Sequence, residues 1–202
     1  MLSWLDKCNT SHSWCHNRSM RRVPLPRRVL DVSMLPGREQ MLGMQQPWRD
    51  QLRGESCKLL QTSEGQTGLY AALSYCWGTT LPLTTTTINL KNHESGIGFN
   101  NLPRTLQDAV MVVRCLDIGY IWIDCLCILQ DSKRDWEHES AHMADVYSNA
   151  SLTVAASRAE HCGEGFLGPR ELNPPLCVNI KDEGDSFDLF FQTAPMPVDE
   201  VS

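Results

Sequence analysis

From Leu69 onward, short apolar runs alternate with longer stretches whose apolar residues recur every three or four positions. Such a change of period separates buried strands from amphipathic helices. "LYAALSYCWG" is a compact apolar run halted by Gly78 and predicts a strand; "YIWID" predicts a second and "SLTVAAS" a third. Between the first two lie the threonine-rich "TTLPLTTTTINLKNHESGIG", suited to turns and surface, and then "LPRTLQDAVMVVRCLDIG", which reads as a helix. In that helix Pro103 suits the first turn, Leu106, Ala109, Val110 and Val113 share one face, and Gly119 stands just past the end. Between the second and third strands, "DSKRDWEHESAHMADVYSNA" predicts a helix with Trp136, Met143 and Tyr147 on one face and Ser132 or Asp135 as its cap.

Strand, helix, strand, helix, strand is the order of a parallel sheet with crossover helices, so the expected fold class is α/β. Before Leu69 the pattern differs. Pro24, Pro26, Pro36 and Pro47, with Gly37, Gly43 and Gly54, break the chain around two short strand-like runs, "RRVLDV" and "CKLLQT". The expected organisation is therefore a loosely structured lead segment at 1–68, a core at 69–170, and a C-terminal part at 171–202 in which "LNPPLCVNI" and "FDLFFQT" offer further strands.

Composition adds limits. With 42% hydrophobic and 21% charged residues the chain is an ordinary globular protein rather than a disordered one. Its net charge of −6 is uneven, because Lys7, Arg18, Arg21, Arg22, Arg27 and Arg28 face only Asp6 in the first thirty residues. The basic arm "RSMRRVPLPRR" lacks interleaved aromatics and reads as a solvated lead-in rather than a nucleic-acid contact. No apolar stretch is long enough for a membrane span, and the first residues carry no signal-peptide core, so a cytoplasmic protein is expected. Nine cysteines then read as reduced thiols.

In open parallel sheets, ligands lie outside the carboxyl ends of the strands. The segments leaving those ends are "SYCWG", "DCLCILQD" and "SRAEHCGEGFLGPR", and they are expected to gather at one lip. Ser74, Tyr75, Trp77 and Gly78 form the first: the aromatic pair can stack a base beside a glycine that lets backbone approach, or Trp77 can plug the edge of the core. Asp124 has three readings: binding a ligand hydroxyl, ordering its loop by accepting backbone N–H bonds, or pairing with an arginine such as Arg170. Cys125 and Cys127, on alternate sides of an extended segment, read as buried thiols; a nucleophilic Cys127 would need a histidine base such as His138, His142 or His161. Cys8, His12 and Cys15 supply three zinc ligands where a closed site needs four, with Cys57 as a candidate fourth; no metal site is expected.

Four blocks, "YAALSYCWG", "LPRTLQDAVMVVRCLDIGYIWIDCLCILQD", "DWEHESAHMADVYSNASLTVAAS" and "GFLGPR", resemble in order and spacing the fungal heterokaryon-incompatibility (HET) domain. The resemblance covers 69–170 closely, and "WLDKCNTSHSWC" and "PLPRRVLDV" are similar to what precedes the domain in such proteins. It implies a cytosolic effector of non-self recognition and programmed cell death, with a receptor or incompatibility partner. It also implies that such chains usually continue past Ser202, so that this one would be either truncated or a short member, with 171–202 a severed edge or the completion of the domain. A more distant likeness to TIR domains implies a TIR/flavodoxin-like three-layer core and either self-assembly as an adaptor or cleavage of NAD by a helical glutamate. The glutamate implied is Glu139, three residues after Trp136, with Glu137 its neighbouring alternative. The ligand crevice would then comprise Ser74–Gly78, Asp124–Cys127 and the helix start at Trp136.

Overall fold

A six-stranded mixed sheet organises the computed structural model, which describes residues 10–11, 22–79 and 83–168 and the backbone of 176–182 and 185–191. The three strands expected from the apolar runs are β5 (Tyr70–Ser74), β7 (Tyr120–Trp122) and β8 (Leu152–Ala155), and they are parallel, with β5 between the other two. The sheet is not purely parallel. β2 (Arg28–Asp31) pairs antiparallel with β7, β3 (Ser56–Gln61) with β2, and β6 (Ile97–Gly98) with β3, completing the order β6-β3-β2-β7-β5-β8. The described residues 22–68 of the lead segment thus contribute β2, β3 and their buried side chains to the fold, and all four residues of β2 are buried. A separate short pair joins β1 (Val23–Pro24) to β4 (Thr67–Gly68).

Alternating strand residues feed two cores. Leu30, Ala71, Leu73, Ile121 and Ile123 face one, together with α1 (Arg38–Gly43), α2 (Trp48–Gln51) and α4 (Arg104–Cys115). Val29, Tyr70 and Trp122 face the other, where Met143, Val146 and Tyr147 of α6 (Lys133–Asn149) pack. The sheet is therefore sandwiched between helices, in keeping with α/β architecture.

The expected helices form, with shifted edges. α4 has Pro103 as its N-cap residue and buries Leu106, Ala109, Val110 and Val113 completely. It ends at Cys115, not near Gly119, because Asp117 takes the left-handed conformation (φ 60°) that terminates it. α6 starts at Ser132, whose hydroxyl accepts the Asp135 N–H. Its buried face is Asp135, Glu139 and Val146, while Trp136, expected inward, is 55% exposed. The threonine-rich stretch is more than surface loop, since it contains α3 (Leu90–Ser95) and β6. Its Thr85 is fully buried, donates its N–H to the Cys125 carbonyl at 2.9 Å and accepts the Gln130 N–H at 2.9 Å.

The chain divides into two compact units, Met1–Leu167 and Gly168–Ser202. In the second, the two apolar runs there form strands, β9 (Leu176–Asp182) and β10 (Asp185–Phe191), and the structure pairs them antiparallel. No helix among the described residues is long and apolar enough to cross a membrane.

Candidate active site

The three connector segments do meet at the carboxyl lip of the parallel strands, and they are occupied by one another. Trp77 Nε1 donates to both Asp124 oxygens, at 3.2 and 3.0 Å, and Asp124 Oδ1 also accepts the Cys125 N–H at 2.6 Å. Asp124 thereby orders the short helix α5 (Asp124–Cys127) and fixes the Trp77 ring. Burial raises its carboxyl above the ordinary value, with the Cys125 N–H, Trp77 and Tyr75 opposing. The Tyr75 hydroxyl is buried beside this carboxylate and the Cys125 thiol without forming a hydrogen bond of good geometry. Burial first, then these neighbours, push the phenol far above its usual range.

The segment after β8 covers the same lip. Ala156 N–H donates to Ser74 O at 2.8 Å and Cys162 N–H to Trp77 O at 3.3 Å. Gly78, at φ +77°, lies so close to His161 that a Cβ there would sit 2.2 Å from the His161 Cβ. The absence of a side chain at Gly78 admits another stretch of this chain, and the exposed polar side chains of the lip include Ser74 and Cys76 on the first segment, Asp131 on the second and Ser157 and His161 on the third. Arg170, Cys8, His12 and Cys15 lie outside the described residues; Cys57 is buried, its thiol 3.6 Å from the Ile97 carbonyl.

Cys125 and Cys127 lie on a helix rather than an extended segment, yet still face opposite cores. Burial pushes the Cys127 thiol up to about 12 and the Cys125 thiol higher still, so both are neutral thiols and poor nucleophiles at neutral pH.

Glu139 sits elsewhere, on the face covered by α6. It is 3% exposed and lines a cavity of about 250 Å³ between α6 and the segment Pro24–Arg27, with His138, His142 and Asp145 on the helix side. Its Oε1 lies 3.5 Å from Arg28 NH2 and 4.0 Å from Arg27 NH1, and forms no hydrogen bond. Asp135, one turn earlier, takes the direct contacts: Arg28 NH2 on Oδ2, Arg27 NH1 on Oδ1 at 3.0 Å, and the Leu129 N–H at 2.9 Å. Arg28 is itself buried and donates Nε–H to the Cys127 carbonyl at 2.6 Å. Burial therefore leaves Glu139 with a raised pKa, Arg28 opposing it, whereas for Asp135 the same burial is outweighed by the Arg28 and Leu129 bonds and its pKa is lowered. Glu137, the neighbouring alternative, is exposed and pairs with Lys133 at 3.7 Å. Trp136 is not among the residues lining the Glu139 cavity.

Sequence reading missed three participants. Arg27 and Arg28 read as charge and as the start of the strand-like run "RRVLDV", with nothing in the sequence to show that they close on a helix more than a hundred residues later. Asp108 was placed on a helix without a role, yet it is fully buried, bonded to Arg49 and accepting the Phe166 and Leu167 N–H groups at 2.6 and 2.8 Å. The letters of "GEGFLG", 163–168, spell a dinucleotide-binding fingerprint, but no described helix follows directly and the loop's amides hold this internal carboxylate.

An α/β sheet edged by the chain's own loops, with a buried carboxylate pair at two arginines, delimits a class of fold and site. The family described as Heterokaryon incompatibility protein (HET) matches residues 70–188, more than half of the chain, and the protein belongs to that family. No curated protein and no solved structure matches it.

Proposed function

We propose that this chain is an effector of fungal non-self recognition that brings on cell death by hydrolysing NAD, with Glu139 as the catalytic carboxylate. Family membership supports the incompatibility role. The likeness to TIR domains noted in the sequence suggests the reaction. The observation that carries the assignment to a residue is the burial of Glu139 on the wall of a cavity with an oxygen that its arginine neighbours leave without a hydrogen bond. Held carboxylates are otherwise used up by their partners, as Asp135 is.

In the reaction, the bond between ribose C1′ and the nicotinamide nitrogen breaks and its electron pair leaves with nicotinamide as the neutral base. Water bonds to C1′ and releases one proton to solvent. Positive charge develops on the ribose ring as the bond breaks, and an ionised Glu139 beside it stabilises that charge. Asp135, Arg27 and Arg28 position the carboxylate, and Trp77 with Asp124 order the lip without touching the reacting atoms.

Expression in fungal cells separates this reading from a non-enzymatic adaptor that assembles with itself. Wild type should lower cellular NAD and arrest growth, and Glu139→Gln should do neither. Killing with NAD intact would assign the adaptor role and overturn the enzymatic one.

A further inference from the structure

A second cavity, of about 600 Å³, lies among the helices on the other face of the sheet, where Arg49, Arg53, Arg104 and Gln107 converge. In a chain of net charge −6, three arginines with Asp50 as the only acid of the lining are a local reversal of sign. We infer that this cavity is a binding site for a small phosphate-bearing molecule, held by Arg49 of α2, Arg53 in the turn after it and Arg104 at the start of α4.

Each arginine is placed differently, and each placement favours an anion. Arg49 is pinned: its guanidinium stacks 4.4 Å over the Trp48 ring and one nitrogen bonds the buried Asp108, while its Nε has no partner. A guanidinium has five N–H donors, so this rigid fork retains capacity for oxyanion oxygens. Arg53 pairs with Asp50 at 2.8 Å, both side chains largely exposed, and such surface pairs exchange partners readily. Arg104 forms no ion pair among the described residues and is the first residue of the twelve-residue helix α4, whose first turn has no acid. A cation at the positive end of a helix dipole is of the wrong sign, and a bound anion would convert that repulsion into attraction.

Gln107 supplies a second, independent observation. It is 6% exposed, spends its amide N–H groups on the Phe99 and Leu102 carbonyls at 3.3 and 2.8 Å, and leaves Oε1 buried without a partner in the cavity wall. Buried acceptors are rarely left so. A ligand bearing a hydroxyl beside its phosphate can satisfy it after a small side-chain shift, as a fully deprotonated anion cannot. The site is separate from the Glu139 cavity and shares no lining residue with it.

Calorimetric titration of the full chain with pyrophosphate and, separately, with ADP at fixed ionic strength tests this. Wild type should bind one equivalent. Arg104→Ala and Arg53→Ala should each weaken binding about tenfold or more, the loss of one charge-assisted contact. Arg134→Ala, on an exposed part of α6, should leave it unchanged. ADP binding more tightly than pyrophosphate would mark a nucleotide site, and equal binding a site for the phosphates alone. Since Arg53 and Arg104 are both exposed, at least one variant should keep the wild-type melting temperature. Absence of saturable binding in wild type, or equal affinity in wild type and in the folded variants, would overturn the inference.

Discussion

Asp135 and Glu139 stand one turn apart on α6, meet the same two arginines, and have opposite proton affinities. Asp135 is the structural partner of buried Arg28, so Asp135→Asn should cost about 3–5 kcal/mol, the usual penalty for stranding a buried charge, read from urea unfolding. Because its folded pKa is below the ordinary 3.8, its contribution is present above that value and is lost as pH falls through the folded pKa. Glu139 is the reverse. Its folded pKa is above the ordinary 4.5, so the folded state binds the proton more tightly and stability declines as pH rises from 4.5 through the folded value. Glu139→Gln should therefore be neutral or stabilising near pH 7; a loss comparable with Asp135→Asn would refute this division of roles. Gly78→Ala should lose roughly 2 kcal/mol or more, by positive-φ strain and collision with His161, visible as a lower melting temperature. Glu139 enters as a candidate through a likeness to a family pattern, and its burial beside two arginines is a finding of the structure. Arg28 was not, because its partner Asp135 lies 107 residues along the chain and local sequence says nothing of that pairing.

At the scale of elements, periodicity located α4 and α6 because their apolar residues recur at helical spacing, and it failed where polar residues are buried. On α6 the inward face includes Asp135 and Glu139, which displaces Trp136 toward solvent. On α4 even Thr105, Gln107, Asp108 and Arg114 are buried, because α1, α2 and the loop after β8 wrap the face that an amphipathic reading assigns to water. The antiparallel strands β2 and β3 were visible as short apolar runs, but their membership of the main sheet depends on partners that local pattern does not name. Asp108 is the tie that holds the loop 165–167 to α4. Asp108→Asn removes its charge from Arg49 and weakens both amide bonds. Hydrogen exchange at Phe166 and Leu167 should accelerate by tenfold or more, about 1.4 kcal/mol of local stability, while β5 and β7 amides keep their protection. Unchanged exchange at those two amides would show that the loop is held by other means.

At the scale of the whole molecule, the carboxylate proposed for catalysis stands in a different place from the one that strand order suggests. Strand order led to the carboxyl lip, and Tyr75, Trp77, Gly78 and Asp124 do gather there, but mainly with one another and with the segment after β8. The carboxylate proposed for catalysis lies instead beside the lead segment, whose Arg27 and Arg28 reach it only because β2 runs antiparallel against β7. The proposed activity requires the ionised form of Glu139, so turnover should fall as pH drops through a value above the ordinary 4.5. The most direct measurement is nicotinamide release from NAD by the purified chain at high protein concentration, comparing wild type with Glu139→Gln of matched melting temperature. Turnover by wild type and a loss of about a hundredfold or more in Glu139→Gln is the expected result. Equal rates in the two proteins, or intact NAD in both, would contradict it.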